Sequence, residues 1–293
     1  MEEPGKVAVI GDLHGSWDDW DVAYFNASDY DLLLFTGDLG SGDGAAGVKI
    51  ARSIARLAKP ALVMPGNNDV VHQPAIAAEF AQRRGLIELL MVGPRERSRS
   101  LGVASGQVEL CGYSLHPLSL GGRALTLLAG RPHAMGGGEF SFAEHLERNY
   151  AVVSMDASTE RLAALMANAP TDDLIVLSHN GPAGLGAGAT DLWGCDFREG
   201  AGDWGDPDLA AALEGARALG KRVLAVIGGH MHLKTRNDSE RVSRLERDGT
   251  LYVNPARVPR IQGGRGGVRR SHLRLEIDAH GVRASEVFVP SDV

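Results

Sequence analysis

Five short apolar runs, each closed by a glycine-containing turn that carries Asp, Asn or His, constrain this chain more than any other feature. Val7-Ala8-Val9-Ile10 runs into Gly11-Asp12-Leu13-His14-Gly15. Asp31-Leu32-Leu33-Leu34-Phe35 leads to Thr36-Gly37-Asp38, and Ala61-Leu62-Val63-Met64 leads to Pro65-Gly66-Asn67-Asn68-Asp69. Leu174-Ile175-Val176-Leu177 is followed by Ser178-His179-Asn180-Gly181, and Val223 to Ile227 by Gly228-Gly229-His230-Met231-His232. Short apolar runs bounded by glycine read as buried strands rather than helices. In open α/β sheets, ligands gather in the crevice at the carboxyl ends of the strands. Five such ends would deliver Asp12, His14, Asp38, Asn67, His179, His230 and His232 to one place. That combination of carboxylates, amide and imidazoles is a metal site.

The candidate ligands run from residue 12 to residue 232 of 293, so no cut between them leaves the site intact. One domain over residues 1–293 is expected, at the upper end for a single core, with a loop insertion at about 181–208. An apolar fraction of 44% with 23% charged residues is ordinary for a soluble enzyme. No apolar run approaches a membrane span, and no basic-then-apolar leader is present, so no membrane partner is expected. Cys111 and Cys195 are the only cysteines, which is no disulfide framework and favours a reducing, cytoplasmic setting. A net charge of −7 argues against broad nucleic-acid binding.

Between the first turns, a helix is expected over Ser16–Asn26 with Ser16 as its cap, and a second over Ala45–Lys59 ended by Pro60. A third would run from near Pro74 to Arg84. This β-α-β-α-β opening implies parallel strands with right-handed crossovers. From Leu86 to Leu120 the pattern breaks into short pieces, and the alternating Val108–Tyr113 is expected to begin a second sheet. Gly121–Gly138 reads as irregular. Phe140–Tyr150, Ser158–Asn168 and Pro207–Gly220 read as helices. Leu251–Val253, His272–Ile277 and Glu286–Val289 read as strands completing the second sheet. The glycine-rich stretch 181–208 holds Trp193, Asp196, Phe197, Trp204 and Asp206, and its Asp203-Trp204-Gly205-Asp206-Pro207 segment reads equally as a lid or substrate wall and as a packing plug.

As a set, these blocks resemble the calcineurin-like metallophosphoesterase superfamily, whose motifs run Asp-x-His, Gly-Asp, Gly-Asn-His-Asp/Glu, His and Gly-His-x-His. They occur here in order as Gly11–His14, Gly37-Asp38, Gly66-Asn67-Asn68-Asp69, His179 and Gly229–His232. The resemblance implies an α/β fold, a four-layer α-β-β-α sandwich with two mixed sheets. It also implies two divalent transition-metal ions. Carried over block by block, Asp12, His14 and His232 would hold one metal and Asn67, His179 and His230 the other, with Asp38 bridging. Mixed imidazole and oxygen ligands suit Mn, Fe, Ni or Zn better than Ca or Mg, with Mn the first expectation. The implied activity is hydrolysis of a small phosphate monoester or diester by metal-hydroxide attack. A nuclease, or a non-catalytic metal-binding interaction module on the same fold, is the alternative.

One motif position departs from the superfamily: Asn68 stands where a His usually orients the phosphate or protonates the leaving group. An amide can donate to a phosphate oxygen but cannot act as a general acid near neutral pH. Asn68, with Asp38, is therefore expected at the catalytic centre as a phosphate ligand; His72 is the nearest spare imidazole in sequence. Asp69 is expected to orient the turn. The superfamily's Asn-Pro-Gly-Ser turn becomes Asn254-Pro255-Ala256-Arg257, which leaves its role open. Arg257 and Arg260 are candidates to meet a substrate phosphate, or else belong to a solvated arginine-rich loop through Arg265, Arg269 and Arg270. His116, His133, His145, His272 and His280 have no motif around them and read as surface or loop residues. Leu39 to Gly44 lacks the Asp-Arg-Gly mark of the protein phosphatases, and the chain's size and lack of a basic face favour small substrates such as nucleotides, sugar phosphates or phosphodiesters. Oligomeric state has no signature in the chain.

Overall fold

The computed structural model describes residues 3–41, 44–90, 108–264 and 267–291. Strands β1 (Gly5–Ile10), β2 (Leu32–Phe35), β3 (Ala61–Val63) and β4 (Val108–Leu110) pair in parallel in that order. The long strand β12 (Gly267–Asp278) runs antiparallel to β1, with Val7 opposite Leu275. It also pairs antiparallel with β11 (Ile261–Gly264) and β13 (Gly281–Ser291). The second sheet joins β5 (Ser114–Leu120), β6 (Arg123–Ala129), β7 (Asp173–Ser178), β8 (Arg222–Gly228), β10 (Thr250–Val253) and β9 (Arg244–Arg247), in that order. Its inner strands β6, β7, β8 and β10 are parallel.

Side chains alternate across each strand, and here both faces are buried, which is why the runs are apolar throughout. Val7, Val9, Leu32, Leu34 and Leu62 face Leu127, Ile175, Leu177 and Ile227 of the other sheet. The opposite faces meet helices. Ala8, Ile10, Leu33 and Phe35 pack with Phe25 of α1 (Asp19–Ala27), Ile50 and Ile54 of α2 (Gly44–Ile54), and Ile76 and Phe80 of α3 (Gln73–Leu90). Leu128, Leu174, Val176 and Val226 pack with Leu146 of α4 (Ala143–Tyr150), Leu162 and Met166 of α5 (Met155–Ala167), and Leu209 and Leu213 of α6 (Pro207–Ala218). The layers are α-β-β-α, as the resemblance implies.

Several expected boundaries move. The cap of α1 is Asp18, not Ser16: its carboxylate accepts from Trp20 N and Asp21 N, and Asp21 returns the bond. Asp18 and Asp21 also take the guanidinium of Arg270, a tie from the far end of the chain. Helix α2 stops at Ile54, where Arg56 N and Leu57 N bond three residues back and Leu57 turns into the core. Val108–Leu110 is the edge of the first sheet rather than the start of the second, and the irregular reading of Gly121–Gly138 conceals β6. His272–Ile277 and Glu286–Val289 fall in β12 and β13 and so extend the first sheet, not the second. Residues 91–107, inside the stretch read as broken apolar pieces, and Arg265 lie outside the described residues.

His116, His133 and His272, read as surface or loop residues, are buried. The His272 ring packs 5.2 Å from Phe25, and its Nε2 hydrogen-bonds with Tyr30 OH at 2.6 Å. Burial, then the Arg260 and Arg274 charges, pull His272 down to about 3. Unfolding releases a ring that takes up a proton below its ordinary pKa, so this contribution is full above about pH 6.5 and shrinks as the pH falls. Urea unfolding at pH 6.5 and 4.5 is expected to show a loss of about 2 kcal/mol from this group, smaller in His272→Gln; equal losses in both proteins would refute it.

Candidate metal centre

The carboxyl ends of β1, β2, β3, β7 and β8 all open on one crevice, and backbone bonds lock their turns together. His14 N donates to Asp38 O at 2.8 Å, Thr36 N to Ile10 O at 3.1 Å, and Gly229 N to His179 O at 2.6 Å. Three of the residues that project into the crevice have left-handed backbones: His14 (φ 42°), Asp38 (φ 49°) and His230 (φ 65°). Such conformations cost about 1–3 kcal/mol each and persist where the surroundings hold them. Two motif glycines are required by close approach. A Cβ on Gly66 would lie 2.1 Å from Asp38 Oδ1, and one on Gly229 would lie 2.2 Å from Asp12 Oδ1.

All seven expected ligands come together. Asp12, His14 and His232 present donor atoms within 4.8 Å of one another, as do Asp12, Asp38 and His179. His14 Nε2 faces His232 Nε2 at 3.1 Å. Asn67 Oδ1 lies 2.9 Å from His179 Nε2 and 3.0 Å from His230 Nδ1. Asp38 stands between the two groups, Oδ2 at 3.5 Å from His14 Nε2 and Oδ1 at 3.7 Å from His179 Nε2.

This donor set fits cations. His179 Nδ1 donates to the Thr36 carbonyl at 2.6 Å, so in the neutral ring Nε2 is a bare lone pair. That lone pair faces another acceptor, Asn67 Oδ1, and a positive charge is what reconciles the two. Without one, the carboxylates draw a proton instead: burial disfavours a charged His179, but Asp38 and Asp12 outweigh it and hold its pKa above the ordinary value. Burial and the neighbouring His179 push His230 down to about 3, and burial lowers His232. Burial raises the Asp38 carboxyl, yet His179, the Asn68 amide and His14 hold it below the usual range.

Supporting residues are visible here that the sequence did not single out. Thr36 Oγ donates to Asp12 Oδ1 at 2.8 Å while its carbonyl orients His179, so one residue aims two candidate ligands. Residues that aim metal ligands in this way typically contribute 10–100-fold in metal affinity. Thr36→Val is expected to weaken metal binding by about tenfold or more in a chelator competition; unchanged affinity would count against this role. His133, expected at the surface, lies buried beneath the third turn, its Nδ1 donating to Gly66 O at 2.6 Å. Asp69 orients that turn as expected, accepting from Gly66 N and Leu39 N at 2.8 and 3.0 Å. Burial and the Asp38 charge push it up to about 7.

The remaining candidates divide. Asn68 lines the cavity, but its Nδ2 donates to Asp38 Oδ2 at 2.7 Å and its backbone N to Oδ1 at 2.9 Å, leaving one amide hydrogen uncommitted. Arg257 does not reach the site: its guanidinium is taken by Glu240 and Glu286 at 2.9 and 2.8 Å. Arg260 is buried, 2.9 Å from Asp21, and Arg270 is tied to Asp18 and Asp21, so neither belongs to a solvated loop. Asn254 is buried and donates to Leu192 O and Met231 O, which fixes the turn carrying His230 and His232.

The stretch 181–208 is both wall and plug. Asp206 N donates to Gly181 O at 2.7 Å and Trp204 N to Trp193 O at 2.8 Å, so the excursion folds back on itself. Asp206 is buried with Arg131, while Phe197, Arg198 and Trp204 line a cavity of about 410 Å³. The cavity floor is His14, Asp38, Asn67, Asn68, His230 and His232.

Known proteins carry the same architecture. A protein from Thermus thermophilus matches 97% of this chain and 99% of its own at 12% identity and a TM-score of 0.53. A dimetal phosphatase from Danio rerio matches 99% of each chain at 10% identity and a TM-score of 0.54. No curated protein sequence matches significantly. The family model described as calcineurin-like phosphoesterase matches residues 5–234. With the ordered motifs and the α-β-β-α layers, that match shows that this chain belongs to the calcineurin-like phosphoesterase family.

Proposed function

We propose that this protein is a dinuclear metal-dependent hydrolase of a small phosphate monoester or diester, with residues 1–293 acting as one unit. The observation that carries this reading is the convergence of seven oxygen and nitrogen donors on one crevice, with the Asp38 carboxylate placed between two ligand groups. Asp12, His14 and His232 would hold one cation, Asn67, His179 and His230 the other, and Asp38 would touch both. Bound there, two cations supply positive charge for phosphoryl oxygens and acidify water, chemistry best matched by Mn, Fe, Ni or Zn with this donor set. The Danio rerio neighbour, whose fold this chain shares, is named as a dimetal phosphatase, which is consistent with the reading.

The chain's own residues define the rest of the chemistry. Asn68 offers its uncommitted amide hydrogen to a non-bridging phosphate oxygen, and its other contacts hold the Asp38 carboxylate in place. No imidazole occupies that position, so the leaving-group oxygen takes its proton from solvent or leaves as a stabilised anion. Trp204, Phe197, Met135 and Met231 line the outer cavity and limit water there. No helix among the described residues is long and apolar enough to cross a membrane. The free, buried Cys111 and Cys195 fit the reducing cytoplasm we assign.

Hydrolysis of an aryl phosphate and a bis-aryl phosphate by the Mn-loaded protein tests this proposal. Turnover of either, abolished by chelation, is expected. Metal bound without turnover of any ester would favour the interaction module instead, and cleavage confined to polynucleotides would favour the nuclease.

A further inference from the structure

The outer half of the cavity is built differently from its floor. Phe197 and Trp204 form an edge-to-face pair with ring centroids 5.1 Å apart, and Phe197 is 40% exposed on the cavity side of the insertion. The indole is fixed in advance: Trp204 Nε1 donates to Met135 O at 2.7 Å, and the Gly137 backbone passes beneath the ring, where a Cβ would come to 3.3 Å. Arg198 lies over Trp204 at 4.6 Å and Arg236 over Phe197 at 5.4 Å. Neither guanidinium has a carboxylate partner among the described residues, whereas Arg241, Arg257, Arg260 and Arg270 are all ion-paired. Two aromatic rings and two guanidiniums without a carboxylate partner among the described residues therefore stand over the metal-ligand floor, in a cavity of about 410 Å³.

Aromatic faces take planar rings, and guanidiniums take phosphate oxygens in pairs. A simple sugar phosphate would leave both features unused. We infer that the substrate is a nucleotide-class phosphoester: Arg198 and Arg236, which cover the Trp204 and Phe197 rings here, turn to a further phosphoryl group and leave the rings to a nucleobase, with the scissile phosphate on the floor. This inference rests on the phosphoesterase reading for the floor, but its own observations belong to the insertion at 181–208 and to Arg236. Rings held before binding lose little freedom when a ligand arrives, which favours selectivity from this wall.

The test compares adenosine diphosphate, adenosine monophosphate and ribose 5-phosphate with the Mn-loaded protein, by turnover and by calorimetric titration. The expected order of kcat/KM is diphosphate, then monophosphate, then ribose 5-phosphate. Ring stacking should separate the nucleotides from ribose 5-phosphate by about tenfold or more. Phe197→Ala is expected to narrow that ratio by about tenfold, Phe197→Tyr to preserve it, and Arg198→Met with Arg236→Met to erase the preference for diphosphate over monophosphate. Equal kcat/KM and equal Kd for adenosine diphosphate and ribose 5-phosphate would overturn the inference. So would a Phe197→Ala protein that loses all three ligands equally. If nothing is hydrolysed but adenosine diphosphate still binds at least tenfold more tightly than ribose 5-phosphate, the hydrolase reading fails and the aromatic subsite stands.

Discussion

Asp38→Asn is expected to lower kcat/KM for any phosphoester this protein hydrolyses by about a thousandfold, while the chain stays folded. The carboxylate is 2% exposed and stands 3.5 Å from His14 and 3.7 Å from His179, one oxygen toward each ligand group. An amide of the same shape preserves the packing but removes the charge that would be shared between two cations. It also presents an NH₂ where an acceptor is required, against Asn68 Nδ2 or the Asn68 backbone N–H. Cation stabilisation of a phosphoryl transition state is a several-kcal/mol effect, and about 4 kcal/mol is a thousandfold in rate. Steady-state kinetics against aryl phosphate, with circular dichroism as the folding control, reads the result. A loss under about tenfold would remove Asp38 from the centre of the chemistry.

Arg131→Met is expected to be the costliest change outside the site, about 3–5 kcal/mol. Arg131 is 2% exposed, with Nε 2.8 Å from Asp208 Oδ2 and one terminal nitrogen 2.8 Å from Asp206 Oδ1. Removing the only cation in this cluster among the described residues leaves two buried carboxylates facing each other. Burial already holds Asp206 above the ordinary carboxylate range despite Arg131, so the variant would take up a proton there, which places the cost toward the lower figure. Calorimetry should show a fall in Tm of roughly 10 °C; a shift within about 2 °C would refute the assignment. Because Asp206 N closes the 181–208 excursion onto Gly181, two residues after His179, the same change should loosen the cavity wall.

What could be read in advance is what is local in the chain. An apolar run ending in a glycine turn with an Asp or His carries its own fold instruction and its own chemistry, so Asp12, Asp38, His179, His230 and the strands before them were legible together. Sheet membership was not. The alternation of His272–Ile277 records that one face is buried but not that its partner is β1, at the other end of the chain. Arginine roles failed for a related reason. The guanidinium of Arg260 would suit a phosphate as well as it suits Asp21, and only the fold brings a carboxylate 239 residues away within 2.9 Å. The burial of His133 depends on Gly66 O, 67 residues earlier, a contact that no periodicity announces. The wall formed by Phe197, Arg198 and Trp204 lies in a glycine-rich loop, where the aromatics argued for order but the direction they face did not follow from the sequence.

Metal stoichiometry tests most directly the proposal that seven side chains from five strand ends hold two cations. Protein loaded with Mn, desalted and analysed by elemental mass spectrometry should carry two equivalents per chain. His179→Ala, which removes a ligand from one group only, should carry close to one. A wild-type chain that retains no metal above a chelator-treated control, or a His179→Ala protein with undiminished metal, would contradict the account.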